Sequence, residues 1–231
     1  MKPDEKKLRG NMIETCLKMN AHGINQGTSG NLSVRYGDGF LITPSSTPYD
    51  QISPEDIVQM DWDGTYLGPR PSSEWRFHRD ILKTRVDVDV VLHCHSTFAT
   101  AVACHHRDIP AFHYIVGLMG GNTLRCAPYA TFGTQELSNA AIDALEGRMA
   151  CLLAQHGQIS LGKNVDGALA MAIEVESLAK IYINACALGE PPVLSDNEMD
   201  RVLEQMKRMS YGRGPEPDDT LDVARARNER N

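Results

Sequence analysis

The chain has 231 residues, 42% of them hydrophobic and 23% charged, which is enough for one sizeable globular core. A formal net charge of −7 argues against a duplex nucleic acid partner, which wants a basic face, but leaves room for a small anion held by local charge and backbone N–H groups. No apolar run is long enough to span a bilayer and the start MKPDEKKLRG lacks the apolar stretch of a signal peptide, so a cytoplasmic protein with no membrane partner is expected.

Residues 4–21 carry Leu8, Met12, Ile13, Cys16, Leu17 and Met19 at helical spacing and end near Gly23, which predicts a helix. A glycine-rich turn, GINQGTSGN, precedes two alternating runs, LSVRY and FLIT, joined by Gly-Asp-Gly as in a β-hairpin. ISPEDIVQMDWDGTYLG reads as a short helix, a strand and a second hairpin. SSEWRFHRDILKTR reads as a helix capped by its serines, VDVVLHCH as a strand and STFATAVACHH as a helix. After residue 110 come a loop rich in glycine and aromatics, a helix around TQELSNAAIDALEG, strands MACLLAQH and QISLG, a long helix from about Val165 to Leu188 and a last helix from about Ser195 to Met209. Strands and helices mix without strict βαβ alternation, so the expected fold class is α/β, three-layer α/β/α around a central, mostly antiparallel sheet. One domain over residues 1–211 is expected, with 212–231, charged and proline-bearing, as a flexible tail. Cys16, Cys94, Cys104, Cys126, Cys151 and Cys186 are dispersed, mostly within apolar segments and without a CxxC pair, as expected of reduced, buried thiols.

The stretch VVLHCHSTFATAV puts His93 and His95 on one side of a strand and Cys94 on the other, because strand side chains alternate. A catalytic zinc uses three protein ligands and leaves a position open. His156, closing the apolar strand in LLAQHGQIS, is the best third candidate. Ordinary histidines satisfied by backbone groups are the other reading of this pattern. Glu74, at the start of a helix after Ser72 and Ser73, is explained either by the helix dipole or as a fourth, displaceable metal ligand that becomes an acid/base. Ser72 and Ser73 read as caps or as phosphate ligands, and Gly27–Asn31 as a second anion cradle. His78 lies one helical turn after Glu74 on the same face, from which it could approach the site, although a salt-bridged surface pair is the expected reading.

Seven stretches in this order, GTSGNLSVR, LITPSSTPYD, PSSEWRFHRDI, VLHCHS, IPAFHYIVGLMGGNT, CAPYATFGT and LLAQHG, together resemble the class II aldolase/adducin family, in particular its L-fuculose-1-phosphate aldolase branch. The resemblance spans roughly residues 5 to 210. It implies a homotetramer with four-fold symmetry and active sites between adjacent subunits. It also implies a Zn²⁺ on His93, His95 and His156 with Glu74, and Mn²⁺ or Co²⁺ suits the same donors. The substrate phosphate would lie on Thr28, Gly30, Asn31, Ser72 and Ser73, helped by the loop Thr43-Pro44-Ser45-Ser46. Tyr114 would reach in from the neighbouring subunit, and Phe132 and Tyr211 would wall the aldehyde side. The implied reaction cleaves the C3–C4 bond of a ketose 1-phosphate to dihydroxyacetone phosphate and an aldehyde. The charge left on C3 is held as a metal-bound enediolate, with Asn31 donating a hydrogen bond to it. Tyr114 takes the C4 hydroxyl proton and Glu74 returns one to C3.

Two places depart from that pattern. Ser46 stands where the phosphate loop is expected to have glycine, and Met206 and Met209 stand where an aromatic is expected. Soft thioethers at the aldehyde end suit an apolar or sulfur-bearing aldehyde, as released from 5-methylthioribulose 1-phosphate or 5-deoxyribulose 1-phosphate by related aldolases; ordinary helix packing is the favoured reading of the two methionines. The rivals on the same fold are an L-ribulose-5-phosphate 4-epimerase, which has aspartate at the Glu74 position, a phosphorylated sugar-acid decarboxylase, and a non-catalytic adducin-like interaction module.

Overall fold

A proline in the first turn, with Asp4 and Glu5 beside it, starts helix α1 (Pro3–Ala21) in the computed structural model, and Gly23, at φ +70°, turns the chain away after it. The structure describes residues 1–209; the tail expected from residue 212, and Tyr211, lie outside the described residues. The two expected hairpins form as β1 (Asn31–Tyr36) with β2 (Gly39–Ile42), and β3 (Val58–Asp61) with β4 (Tyr66–Leu67). Then follow α2 (Trp75–Thr84), β5 (Val90–Cys94) and α3 (Thr97–Ala103). The loop after residue 110 carries more structure than its glycines suggest. The short pair β6 (Ile109–Pro110) and β7 (Thr123–Leu124) brackets a 3₁₀ turn, Tyr114–Met119, before β8 (Cys126–Ala127). The chain continues through α4 (Gln135–Ala144), β9 (Ala150–Leu153), β10 (Gly157–Gly162), α5 (Val165–Cys186) and α6 (Asp196–Arg208).

Eight strands make one sheet in the order β4-β3-β2-β1-β5-β10-β9-β8, antiparallel at every pairing except β8 with β9. This is the expected mostly antiparallel sheet, and helices cover both of its faces. On one face Phe77 and Ile81 of α2 and Leu137 and Ala141 of α4 pack on Phe40, Val91 and Ile159. On the other, Met12 and Cys16 of α1 and Ala168 of α5 pack on Leu32, Leu92 and Cys94, while α3 and the rest of α5 cover Ala150 and Leu152. Such burial removes apolar surface from water at about 25 cal/mol per Å², and it leaves β5 in the middle of the sheet between β1 and β10. Cys16, Cys94 and Cys151 are buried as expected, whereas Cys104 is exposed and Cys126 and Cys186 are half-buried; all six are free thiols. None of the helices among the described residues is long and apolar enough to cross a membrane.

Candidate metal centre and active site

The centre is built at one end of β5. In the antiparallel register Asn31 of β1 lies opposite His93, and Ile159 of β10 lies opposite it on the other side. His93 is fully buried on the α2 side of the sheet. His95 stands one residue beyond the strand end, and His156 lies in the tight turn from β9 to β10 rather than at the end of a strand. The hairpin turn, with Gln155 at φ +53°, aims the third imidazole at the first two. The three rings stand edge to face around one point, with centroids 4.8–4.9 Å apart. Gly157 is required there, because a Cβ would come within 2.6 Å of the Cys94 carbonyl oxygen and 2.9 Å of the His95 ring.

Burial holds these imidazoles uncharged. Loss of solvation, with the neighbouring His95, pushes His93 down to about 3; burial and His93 push His156 down to about 4; His95 is lowered by its own burial. His93 Nδ1 donates to the Gln158 carbonyl at 2.8 Å, so its Nε2 carries the lone pair. That lone pair faces His95 Nε2 at 3.0 Å and Glu74 Oε2 at 3.2 Å. The His93 lone pair and the Glu74 carboxylate oxygen are both acceptors and repel, and a cation between them relieves the repulsion. One nitrogen from each of His93, His95 and His156 lies within 4.8 Å of the others, so the donor set fits a divalent ion with three imidazole ligands.

Glu74 is the N-cap residue of α2, which begins at Trp75, one residue later than its serines suggest. Its side chain does not cap the helix; it turns into the site, 4% exposed. Oε2 accepts from Asn31 Nδ2 at 3.1 Å. Oε1 lies 3.3 Å from His156 Nε2 and is a buried oxygen with no hydrogen-bond partner. His78 is not the surface residue that helical spacing suggested. It is fully buried beneath Asn31, with Nε2 2.5 Å from Asn31 Oδ1 and Nδ1 2.7 Å from Ser33 Oγ. Sequence reasoning missed His78, Ser33 and Gln158 in this role; the available signals were the i, i+4 spacing from Glu74 and the i, i+2 spacing from Asn31.

Of the candidate phosphate residues, Thr43, Ser45 and Ser72 lie along one seam beside this centre. The Thr43 amide donates to the Leu32 carbonyl, the Ser72 amide to Thr43 and the Ser45 amide to Arg70, and Pro44 bridges to Pro71. Ser72 Oγ accepts from the Glu74 amide at 3.3 Å, tying the seam to the carboxyl. Gly30 is pressed against the site, since a Cβ there would lie 2.8 Å from the His93 carbonyl oxygen, while Thr28 is exposed on the turn before it. Ser46 adopts φ +57°, the left-handed backbone that favours glycine, so this position keeps the loop shape without the residue. Gly133 packs on the Ser73 carbonyl and accepts from Arg76, which sets Phe132, 66% exposed, beside the start of α2.

Tyr114, Met206 and Met209 are brought together elsewhere. They line a groove between the 3₁₀ turn and α6 with Glu198, Arg201, Val202 and Gln205, and none of the three clustered histidines lines it. Met206 packs on Gly117, whose Cβ would meet its sulfur at 3.1 Å.

Comparison with known proteins agrees with this geometry. The chain is 52% identical over 206 residues, 89% of its length and 92% of the relative's, to the 5-methylthioribulose-1-phosphate/5-deoxyribulose-1-phosphate aldolase of Rhodospirillum rubrum. It is 48% identical over 211 residues, 90% of its length and 97% of the relative's, to the L-fuculose phosphate aldolase of Escherichia coli K12. A solved L-fuculose 1-phosphate aldolase superposes with a TM-score of 0.84 at 39% identity, over 90% of this chain and 98% of that one. The family model for the class II aldolase and adducin N-terminal domain matches residues 10–183, a span that holds every residue of the histidine centre, and the chain belongs to that family.

Proposed function

We propose that this chain is a metal-dependent aldolase that cleaves a ketose 1-phosphate to dihydroxyacetone phosphate and an aldehyde. One observation carries the reading: a buried carboxyl oxygen without a hydrogen bond, Glu74 Oε1, faces uncharged imidazoles that converge on one point. His93, His95, His156 and Glu74 would hold the ion, Zn²⁺ or with the same donors Mn²⁺ or Co²⁺. Such an ion supplies Lewis acidity for the negative charge that breaking a carbon–carbon bond leaves on the substrate.

The chain's own groups do the rest. Thr28, Gly30, Thr43, Ser45, Ser46, Ser72 and Ser73 bind the phosphate and so place C3 and C4 of the sugar over the centre, with Asn31 donating toward the charge that develops there. As the C3–C4 bond breaks, its electron pair stays with C3 and the C4 hydroxyl passes its proton to the Tyr114 oxygen of a neighbouring subunit, whose own hydroxyl proton moves on to solvent, which turns C4 into the aldehyde carbon. Glu74, having taken up a proton from solvent, then delivers it to C3. Its two oxygens have different surroundings, Oε2 held by Asn31 and Oε1 not, which suits Oε1 to that transfer. The separation of the Tyr114 groove from the histidines supports a homotetramer in which each groove completes a neighbour's centre. Phe132, Met206, Met209 and Tyr211 then wall the aldehyde end.

Two methionines in the groove and the name of the Rhodospirillum relative favour 5-methylthioribulose 1-phosphate or 5-deoxyribulose 1-phosphate as substrate; the Escherichia relative's name keeps L-fuculose 1-phosphate as the alternative. Glutamate at position 74, rather than aspartate, favours cleavage over epimerisation. An acidic chain with free thiols suits work in the cytoplasm. The test is release of dihydroxyacetone phosphate, followed through a coupled reductase, from each ketose 1-phosphate before and after chelator treatment. Release that the chelator abolishes is expected. No release from any of them, by protein that contains its metal, would overturn the aldolase reading in favour of the epimerase or decarboxylase.

A further inference from the structure

Beneath the centre lies a line of four buried polar side chains, each nine-tenths or more out of solvent: Ser33, His78, Asn31 and Glu74. Asn31 meets Glu74 through its Nδ2 end and His78 through its Oδ1 end. Only an amide nitrogen donates and only an amide oxygen accepts, so the two contacts stand or fall together. Asn31 Oδ1 needs a donor, which makes His78 Nε2 the protonated nitrogen. Burial keeps His78 well below the usual imidazole range, and a neutral ring has one N–H, so Nδ1 is the acceptor and takes its hydrogen from Ser33 Oγ. Every donor in the line therefore points toward the carboxyl. The placement follows from the fold: Asn31 and Ser33 alternate onto one face of β1, and His78 sits one helical turn beyond Glu74 on α2.

We propose that His78 is a positioning residue for the reaction: through Asn31 it fixes which end of the amide faces Glu74, anchors Oε2 and leaves Oε1 as the working oxygen. Without the ring's N–H, the amide's orientation is left to its Nδ2 end alone, that is to the Glu74 contact itself and a long 3.5 Å bond to the Ser29 carbonyl. A flipped Asn31 presents an oxygen to a carboxyl oxygen and removes the donor that holds Glu74. Loss of an outer partner of this kind costs roughly 10–100-fold in activity or metal affinity. Only the working role of Oε1 rests on the aldolase reading; the direction of the line does not.

The test pairs two amide replacements. A glutamine places its NH₂ near the ring's Nε2 and still reaches Asn31, whereas an asparagine stops near Nδ1. His78→Gln is expected to keep kcat within a few-fold of the parent. His78→Asn is expected to lower kcat roughly 10–100-fold with KM little changed. Equal losses in the two variants, or no loss in His78→Asn, would overturn the proposal. Nitrogen-15 spectra of the intact, metal-containing protein, with the His78 signals assigned by their disappearance in His78→Gln, read the orientation directly. A neutral ring protonated on Nε2 is expected, and an Nδ1-protonated or charged ring would overturn it. Should the parent cleave none of the ketose 1-phosphates, the aldolase reading fails while the ring spectra still decide the direction of the line.

Discussion

At the end of β5, neutral imidazoles, a carboxyl group and an amide are held within hydrogen-bond distance of one another, and the residues that aim them lie behind them in the same chain. At the groove along α6, by contrast, Tyr114 is 45% and Met209 59% exposed, and the wall is formed by side chains of one helix and one 3₁₀ turn. The first region is preorganised: its donors are fixed before any ion or substrate arrives, so little ordering remains to oppose binding. Under the proposed assembly the second is half a site. The difference teaches that the imidazoles and the carboxyl that would hold a metal come from one chain, whereas in that assembly the groove's tyrosine serves a neighbour's centre.

Replacing any one of His93, His95 or His156 with Ala tests the preorganised region hardest. Bound metal should drop well below one ion per subunit, with cleavage lost alongside; full metal content in all three variants would break the assignment. Glu74→Gln should fold and bind phosphate but slow exchange of the C3 proton of dihydroxyacetone phosphate roughly 10²-fold or more, and unchanged exchange would move the proton transfer to another residue.

Acid should also separate the regions. In chelator-treated protein, His93 at about 3, His156 at about 4, and the lowered His95 and His78 all sit below the ordinary value of 6.5. The unfolded chain therefore binds protons first. Stability present above about pH 6.5 should be lost as pH falls toward 4 and then 3, with a slope of about 1.4 kcal/mol per pH unit for each fully buried imidazole that must charge. Urea midpoints measured from about pH 7.5 to 5 check this, and a flat profile would mean the rings are not held neutral. The smallest effect is expected at Ser46→Gly. Relief of the left-handed serine is offset by the flexibility of glycine in the unfolded chain, so the net gain is no more than about 1 kcal/mol. A loss larger than that, by the same urea measurement, would show that the serine hydroxyl supports the loop.

Period-two and helical patterning made the layers and most elements legible in the sequence, because burial of one face is local information. His93 and His95 were legible for the same reason, being two residues apart on one face. The structure brings His156 beside the other two, but from a turn and not from the strand that its apolar run suggests, since nothing local shows that Leu153 is the last paired residue. His78 was misread as a surface residue because its partners, Asn31 and Ser33, lie 47 and 45 positions away. A helix pattern shows which face a side chain occupies but not the strand beneath it. The Tyr114 groove was legible only through the resemblance, as its two walls are separated by some eighty residues and neither carries a motif of its own.

Mixing chains that carry Tyr114→Phe with chains that carry Glu74→Gln tests the division between the regions most directly. If each centre takes its glutamate from one subunit and its tyrosine from the next, random reassembly should restore about one quarter of the parental dihydroxyacetone phosphate release, although neither variant alone is active. Release that stays at the level of the separate variants after verified subunit exchange would place both residues in the same chain's site and contradict the account.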